Sequence, residues 1–185
     1  QGERVKTEDL WNAMLVASSN NAAFSLARSP GVPQSEFVDA MNVVVRQYGL
    51  ANTNFADPAG LSSLNVSTAR EVATLVDHAL AQKDIRDAVG QITYEFTSES
   101  GFVHKIKNTN ILLNGDLDFV GGKTGFSPDA GYCFASVVVG EDGQEVVVVV
   151  LGSDRRSGRF EDTTKLANWV FESYRWPGDD VATTN

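Results

Sequence analysis

Residues 131–151 place two apolar runs, Tyr132-Cys133-Phe134-Ala135-Ser136-Val137-Val138-Val139 and Val146-Val147-Val148-Val149-Val150-Leu151, on either side of Glu141-Asp142-Gly143. β-Branched side chains at this density suit a pleated sheet better than a helix. Asp-Gly supplies the positive-φ corner of a tight hairpin. The spacing predicts antiparallel strands at 131–139 and 144–151. Neither run alternates with polar residues, so both should be covered on two faces. The longest run, 146–151, is far too short to span a bilayer.

The rest of the chain supplies that cover. Helical periodicity marks 7–17, with Thr7 as N-cap and Glu8 and Asp9 in the first turn, then 21–28, with Asn21 as its cap. A helix over 35–48 carries Phe37, Met41 and Tyr48 on one face and is stopped by Gly49. Ser67 caps a helix over 68–82 that buries Val72, Leu75, Val76 and Ala79, and a short turn follows at 84–89. A last helix, 159–175, uses Phe160, Leu166, Ala167, Trp169, Val170 and Tyr174 and ends at Pro177-Gly178. Residues 91–97 and 102–106 read as a hairpin closed at 98–101. Residues 1–6 read as an extended lead-in, 51–66 as a long ordered loop and 108–114 as a short helical or irregular link. With 185 residues and 42% hydrophobic content, one domain over 1–178 with a frayed tail at 179–185 is expected. A net charge of −9 excludes a nucleic-acid partner of the usual basic kind. The single cysteine, Cys133, excludes an internal disulfide and reads as a buried, inert thiol. His78 and His104 have no metal-ligand spacing, and Asp116 and Asp118 read as a solvated turn.

The chemistry concentrates at Gly122-Lys123-Thr124-Gly125, just ahead of the apolar strands. An ammonium, a hydroxyl that can donate to a carboxylate and a glycine that admits another backbone make a surface for the end of an extended peptide. Alone, the tripeptide also fits a plain turn that opens a strand. Upstream, Ser18-Ser19-Asn20 supplies a Ser-x-Asn element. Two of the three elements of the Ser-x-x-Lys, Ser-x-Asn, Lys-Thr-Gly set of penicillin-binding proteins are therefore present, in order.

From Gly2 to Trp176 the chain resembles the D-alanyl-D-alanine carboxypeptidases, low-molecular-mass penicillin-binding proteins. The likeness runs through Leu15-Val16-Ala17-Ser18-Ser19-Asn20-Asn21-Ala22-Ala23, Phe37-Val38-Asp39-Ala40-Met41-Asn42 and Asn52-Thr53-Asn54-Phe55. It continues through Gly60-Leu61, Ser67-Thr68-Ala69-Arg70-Glu71, Asn108-Thr109-Asn110, Gly122 to Gly125, Ala130-Gly131-Tyr132-Cys133 and Leu151-Gly152. It implies an α+β, penicillin-binding-protein/β-lactamase-like transpeptidase fold, an antiparallel sheet flanked by helices plus a helical cluster. No lysine has a serine three positions before it, so Ser-x-x-Lys is missing. In the family that motif lies ahead of the region matched by residue 1. The N-terminal strands and nucleophile helix are thus expected to be absent, through a chain cut before residue 1. The alternatives are a non-catalytic binding homologue or a subunit completed by another chain.

The resemblance implies serine-type acyl transfer on peptidoglycan stem peptides ending in D-Ala-D-Ala, outside the cytoplasmic membrane and without cofactor or metal. Ser18 would relay a proton, Asn20 would hold a substrate carbonyl and Lys123 would tune the charge. Thr124 would bind the terminal carboxylate and Gly125 would admit the peptide. The Phe126 N–H would be one oxyanion-hole donor. Arg159 is open to two uses, carboxylate binding or a surface ion pair with Glu161 or Asp162. Two positions depart from the family: Ala59 stands where a polar residue is common, and Thr109 where some members have arginine. Ser-x-Asn rather than Tyr-x-Asn, and the lack of Glu-x-x-Leu-Asn, favour a carboxypeptidase over a β-lactamase. β-Lactams should bind covalently only if the nucleophile is supplied. Exposed apolar surface and an open strand edge should lead to a swapped homodimer or a complementing chain.

Overall fold

The computed structural model describes residues 2–176. Gln1, the helix stop at Pro177-Gly178 and the tail expected over 179–185 lie outside the described residues. The elements run α1 (Thr7–Ala17), α2 (Asn20–Arg28), α3 (Gln34–Gln47), α4 (Ala69–Leu80), α5 (Lys83–Val89), β1 (Thr93–Thr97), β2 (Val103–Lys107), β3 (Asp118–Ser127), β4 (Gly131–Val139), β5 (Glu145–Ser153) and α6 (Gly158–Ser173). A one-turn 3₁₀ helix, Ile111–Asn114, precedes β3. β1 and β2 form a separate antiparallel hairpin, and β3, β4 and β5 form an antiparallel sheet in that order.

The valine run is explained by what lies on each side of β4. Val137 packs in one core cluster with Leu80 and Val89, from α4 and α5, and Val138 in another with Val148 and Ala167, from β5 and α6. Successive side chains of a strand point to opposite faces, so both faces of this strand need apolar residues. β5 follows less closely, because its end at Leu151 is 43% exposed. Fold class, hairpins and helix order agree with the sequence reading.

The differences lie at helix ends and on one helix face. Thr7 is the first helical residue of α1, behind an N-cap at Lys6 that makes no side-chain bond. Ser19, not Asn21, caps α2, its Oγ accepting the Ala22 N–H at 3.3 Å. Thr68 caps α4 through the Glu71 N–H, while Ser67 bonds Thr53. In α2 and α4 a neighbouring hydroxyl takes the cap, which periodicity alone does not settle. On α6 the buried stripe is Phe160, Thr163 and Ala167, and Leu166 and Trp169 are 42% and 53% exposed. Lys123 sits five residues into β3 rather than at the start of a strand.

Two glycines fix how β3 is seated. Gly121 follows the bulge at Val120 and has φ 156°; a Cβ there would lie 2.4 Å from Val89 Cγ2, and a Cβ on Gly122 would lie 2.6 Å from the Ala135 carbonyl oxygen. The glycine pair lets α5 and β4 close on the strand that carries Lys123.

Candidate active site

Ser18 ends α1 in a left-handed conformation, φ 56° and ψ 39°. It is the non-glycine residue with positive φ among the described residues. Such a conformation costs a non-glycine residue roughly 1 kcal/mol. The chain reverses there, the Ser19 N–H donates to the Ala13 carbonyl at 3.1 Å, and α2 starts at once with Asn20. The reversal directs the Ser18 hydroxyl at β3, where Lys123 Nζ donates to Ser18 Oγ. Lys123 Nζ also donates to the Thr124 carbonyl at 2.9 Å.

All seven residues singled out in the sequence, Ser18, Asn20, Lys123, Thr124, Gly125, Phe126 and Arg159, line one groove of about 670 Å³. Helices α1 and α2 form one side of it, β3 another, and the loop segment Pro58 to Leu61 a third. Burial, followed by the positive charge of Arg159, lowers the Lys123 pKa from 10.5 to about 8. Near neutral pH the ammonium is charged and donates to Ser18; about one unit above its pKa it is mostly neutral and can accept a proton.

Thr124 is buried and donates from Oγ1 to Thr109 Oγ1 at 2.7 Å. Thr109 is itself fixed by its N–H to the Val16 carbonyl at 3.1 Å. The departure at position 109 thus orients the Thr124 hydroxyl. Gly125 faces Cys133 across the sheet, and a Cβ there would meet only Cys133 Cβ, at 3.7 Å. Phe126 is exposed and stacks on Tyr132, ring centroids 4.3 Å apart.

Of the two uses open to Arg159, the surface ion pair with Glu161 or Asp162 is not formed. Arg159 is 5% exposed and makes no ion pair with another described residue, and Glu161 pairs with Arg155 and Asp162 with Lys165. Its Nη1 donates to the Gly125 carbonyl at 2.9 Å and the Cys133 carbonyl at 3.3 Å, and its guanidinium lies over the Tyr132 and Phe160 rings. It therefore clamps α6 to the strand pair beneath the groove.

Four residues at or beside the groove had no role assigned from the sequence: Thr109, there only a departure from the family, Tyr132, Arg156 and Asp57. Asp57 organises the loop wall: its carboxylate accepts the N–H groups of Ala59, Leu61 and Ser62 and the Asn65 amide, at 2.5 to 3.2 Å. Burial pushes its pKa up, but the donors from Ser62, Ala59, Asn65 and Leu61 outweigh that and hold it below the usual value. The signal was the Asp-Pro pair inside a loop rich in Asn and Ser, the composition of a side-chain-stabilised turn.

This fold and groove define a protein of the penicillin-binding DD-peptidase class. It superposes on the crystal structure of the Streptomyces K15 DD-transpeptidase with a TM-score of 0.85 at 28% identity, over 92% of this chain and 70% of that one. It also superposes on penicillin-binding protein D2 of Listeria monocytogenes in its cefotaxime-bound form, at 0.78 and 30% identity, over 89% of this chain and 66% of that one. The chain belongs to the D-alanyl-D-alanine carboxypeptidase family, peptidase S11, which it matches over residues 1–155. Among curated relatives, D-alanyl-D-alanine carboxypeptidase DacA of Haemophilus influenzae is 33% identical over 176 residues, 92% of this chain and 43% of that protein. The chain thus spans less than half the length of that relative.

Proposed function

We propose that this chain forms the substrate groove of a serine-type D-Ala-D-Ala carboxypeptidase that acts on peptidoglycan stem peptides outside the cytoplasmic membrane. The observation that carries the reading is the contact of Lys123 with Ser18 in one groove with Asn20 and Thr124. A hydroxyl hydrogen-bonded to an amine of pKa about 8 can pass a proton in either direction near neutral pH. In this reading Ser18 carries the proton to the leaving amine, Lys123 sets its direction, and Asn20 holds a substrate carbonyl. Thr124 takes the terminal carboxylate by turning its one hydroxyl proton from Thr109 Oγ1, which accepts it in this structure, to the carboxylate. The peptide lies along β3 at Gly125, and the Phe126 N–H contributes to the oxyanion hole. Arg159 acts by fixing the Gly125 carbonyl and by its positive charge.

The 185 residues contain no Ser-x-x-Lys. On this reading the chain alone binds the stem peptide without cleaving it and forms no covalent adduct with a β-lactam. A fluorescent penicillin checks this: no labelled band survives denaturation of the chain alone, and a stoichiometric adduct on any serine overturns it. Isothermal titration with an acylated D-Ala-D-Ala peptide should give weak reversible binding, lost in Thr124→Val. Addition of a second chain that carries Ser-x-x-Lys distinguishes a completed enzyme from a non-catalytic binder, since only the former gains penicillin labelling.

A further inference from the structure

The groove is lined by three cations, Lys123, Arg156 and Arg159, and by no aspartate or glutamate, in a chain of net charge −9. A positive groove on an acidic protein draws anions and repels cations. The three cations differ in how far they are committed. Lys123 donates to Ser18 and Thr124, and buried Arg159 has its Nη1 on two carbonyls. Arg156 is exposed, forms no ion pair with another described residue and donates no described hydrogen bond. The acids nearest it in sequence are spent on its neighbour, since both Asp154 and Glu161 pair with Arg155. Asp57, which lies behind the Pro58 to Leu61 segment and does not line the groove, is engaged by its four donors.

A single terminal carboxylate is already met by Thr124 beside Lys123, which leaves Arg156 with a full unneutralised charge. We propose that Arg156 is a specificity-determining residue that selects peptides with a second free carboxylate close to the terminal one, over peptides whose corresponding group is amidated or basic. This rests on the groove being the peptide site argued above. A guanidinium matches a carboxylate in two parallel hydrogen bonds, which a carboxamide cannot accept in full. A basic side chain at that position would face three positive groups with no acid to neutralise it, a penalty that works as exclusion.

The test uses two acylated peptides ending in D-Ala-D-Ala, identical except that the preceding residue carries a free carboxylate in one and a carboxamide in the other. Each is titrated into the wild-type chain and into Arg156→Gln, whose exposed position leaves folding intact. The wild type should bind the free acid about three- to fivefold more tightly, the range for a partly exposed ion pair, and the preference should fall in high salt. Arg156→Gln should bind the two peptides equally, with the affinity for the carboxamide peptide unchanged, and Arg156→Glu should invert the order. Equal wild-type affinities, or a preference that survives Arg156→Gln, overturn the assignment to Arg156 while leaving the groove reading in place. Failure of the wild type to bind either peptide overturns the groove reading itself.

Discussion

At the scale of single residues, Lys123 links the site to stability. Its folded pKa, about 8, lies below its ordinary 10.5. Between those values the unfolded chain holds the proton more often than the folded one, so stability rises with pH across that window. The dependence has the opposite sign to that of a lysine stabilised by an ion pair. Denaturant melts at pH 7.5 and 9.5 should show wild type gaining stability relative to Lys123→Met, whose side chain has no charge to bury. Tyr94 is raised to about 12 and does not obscure the difference below its ordinary value of 10. Asp57 gives a second test. Removing its carboxylate leaves the half-buried N–H groups of Ala59 and Ser62 and the more exposed one of Leu61 without their acceptor, so Asp57→Ala should cost on the order of 1–3 kcal/mol, visible as a lowered midpoint in urea. That Ser18, Asn20, Lys123 and Thr124 belong together was legible in the sequence because they stand in two short contiguous motifs, and the structure places them in one groove. The places of Thr109, Arg156 and Asp57 were not, because each gains its role from a neighbour distant in sequence or from the emptiness around it.

At the scale of the element, β3 carries three glycines with different duties. Gly122 has the Ala135 carbonyl and Ser136 within 3 Å of where a Cβ would stand, and Gly125 has only a 3.7 Å neighbour. Gly122→Ala should destabilise by roughly 2 kcal/mol or more through overpacking. Gly125→Ala should change stability by less than about 0.5 kcal/mol yet weaken the stem peptide, whose backbone needs that space. Thermal melts and peptide titrations of the two variants should therefore separate. Helix and strand existence was legible because periods of 3.6 and 2 survive in the sequence. Cap positions were not, since Ser18, Ser19, Ser67 and Thr68 offer adjacent hydroxyls and only the three-dimensional path selects among them.

At the scale of the whole molecule, β5 pairs only with β4 among the described residues, and Leu151, Leu166, Trp169 and Tyr174 are 42–55% exposed near that side of the sheet and on α6. Apolar side chains beside an open strand edge favour pairing with another chain. Sedimentation velocity should show a concentration-dependent dimer or larger species, and Trp169→Glu should shift it towards monomer. A monomer at high concentration in the wild type would contradict this. On α6 the sequence led to Phe160 and Ala167, which are buried, but also to Leu166, Trp169 and Tyr174, which are exposed, because an amphipathic stripe says which residues are apolar and not whether anything lies against them.

Lys123 and Ser18 are 105 positions apart, and the bond between them joins a helix turn near the start of the chain to the sheet beyond its middle. Closing so long a loop costs chain entropy before the contact can repay it. A partly ordered state with every helix and strand in place but α1 undocked would leave the amine hydrated, with its basicity restored to the ordinary range. The protonation of one side chain is therefore a gauge of whether the molecule has finished assembling.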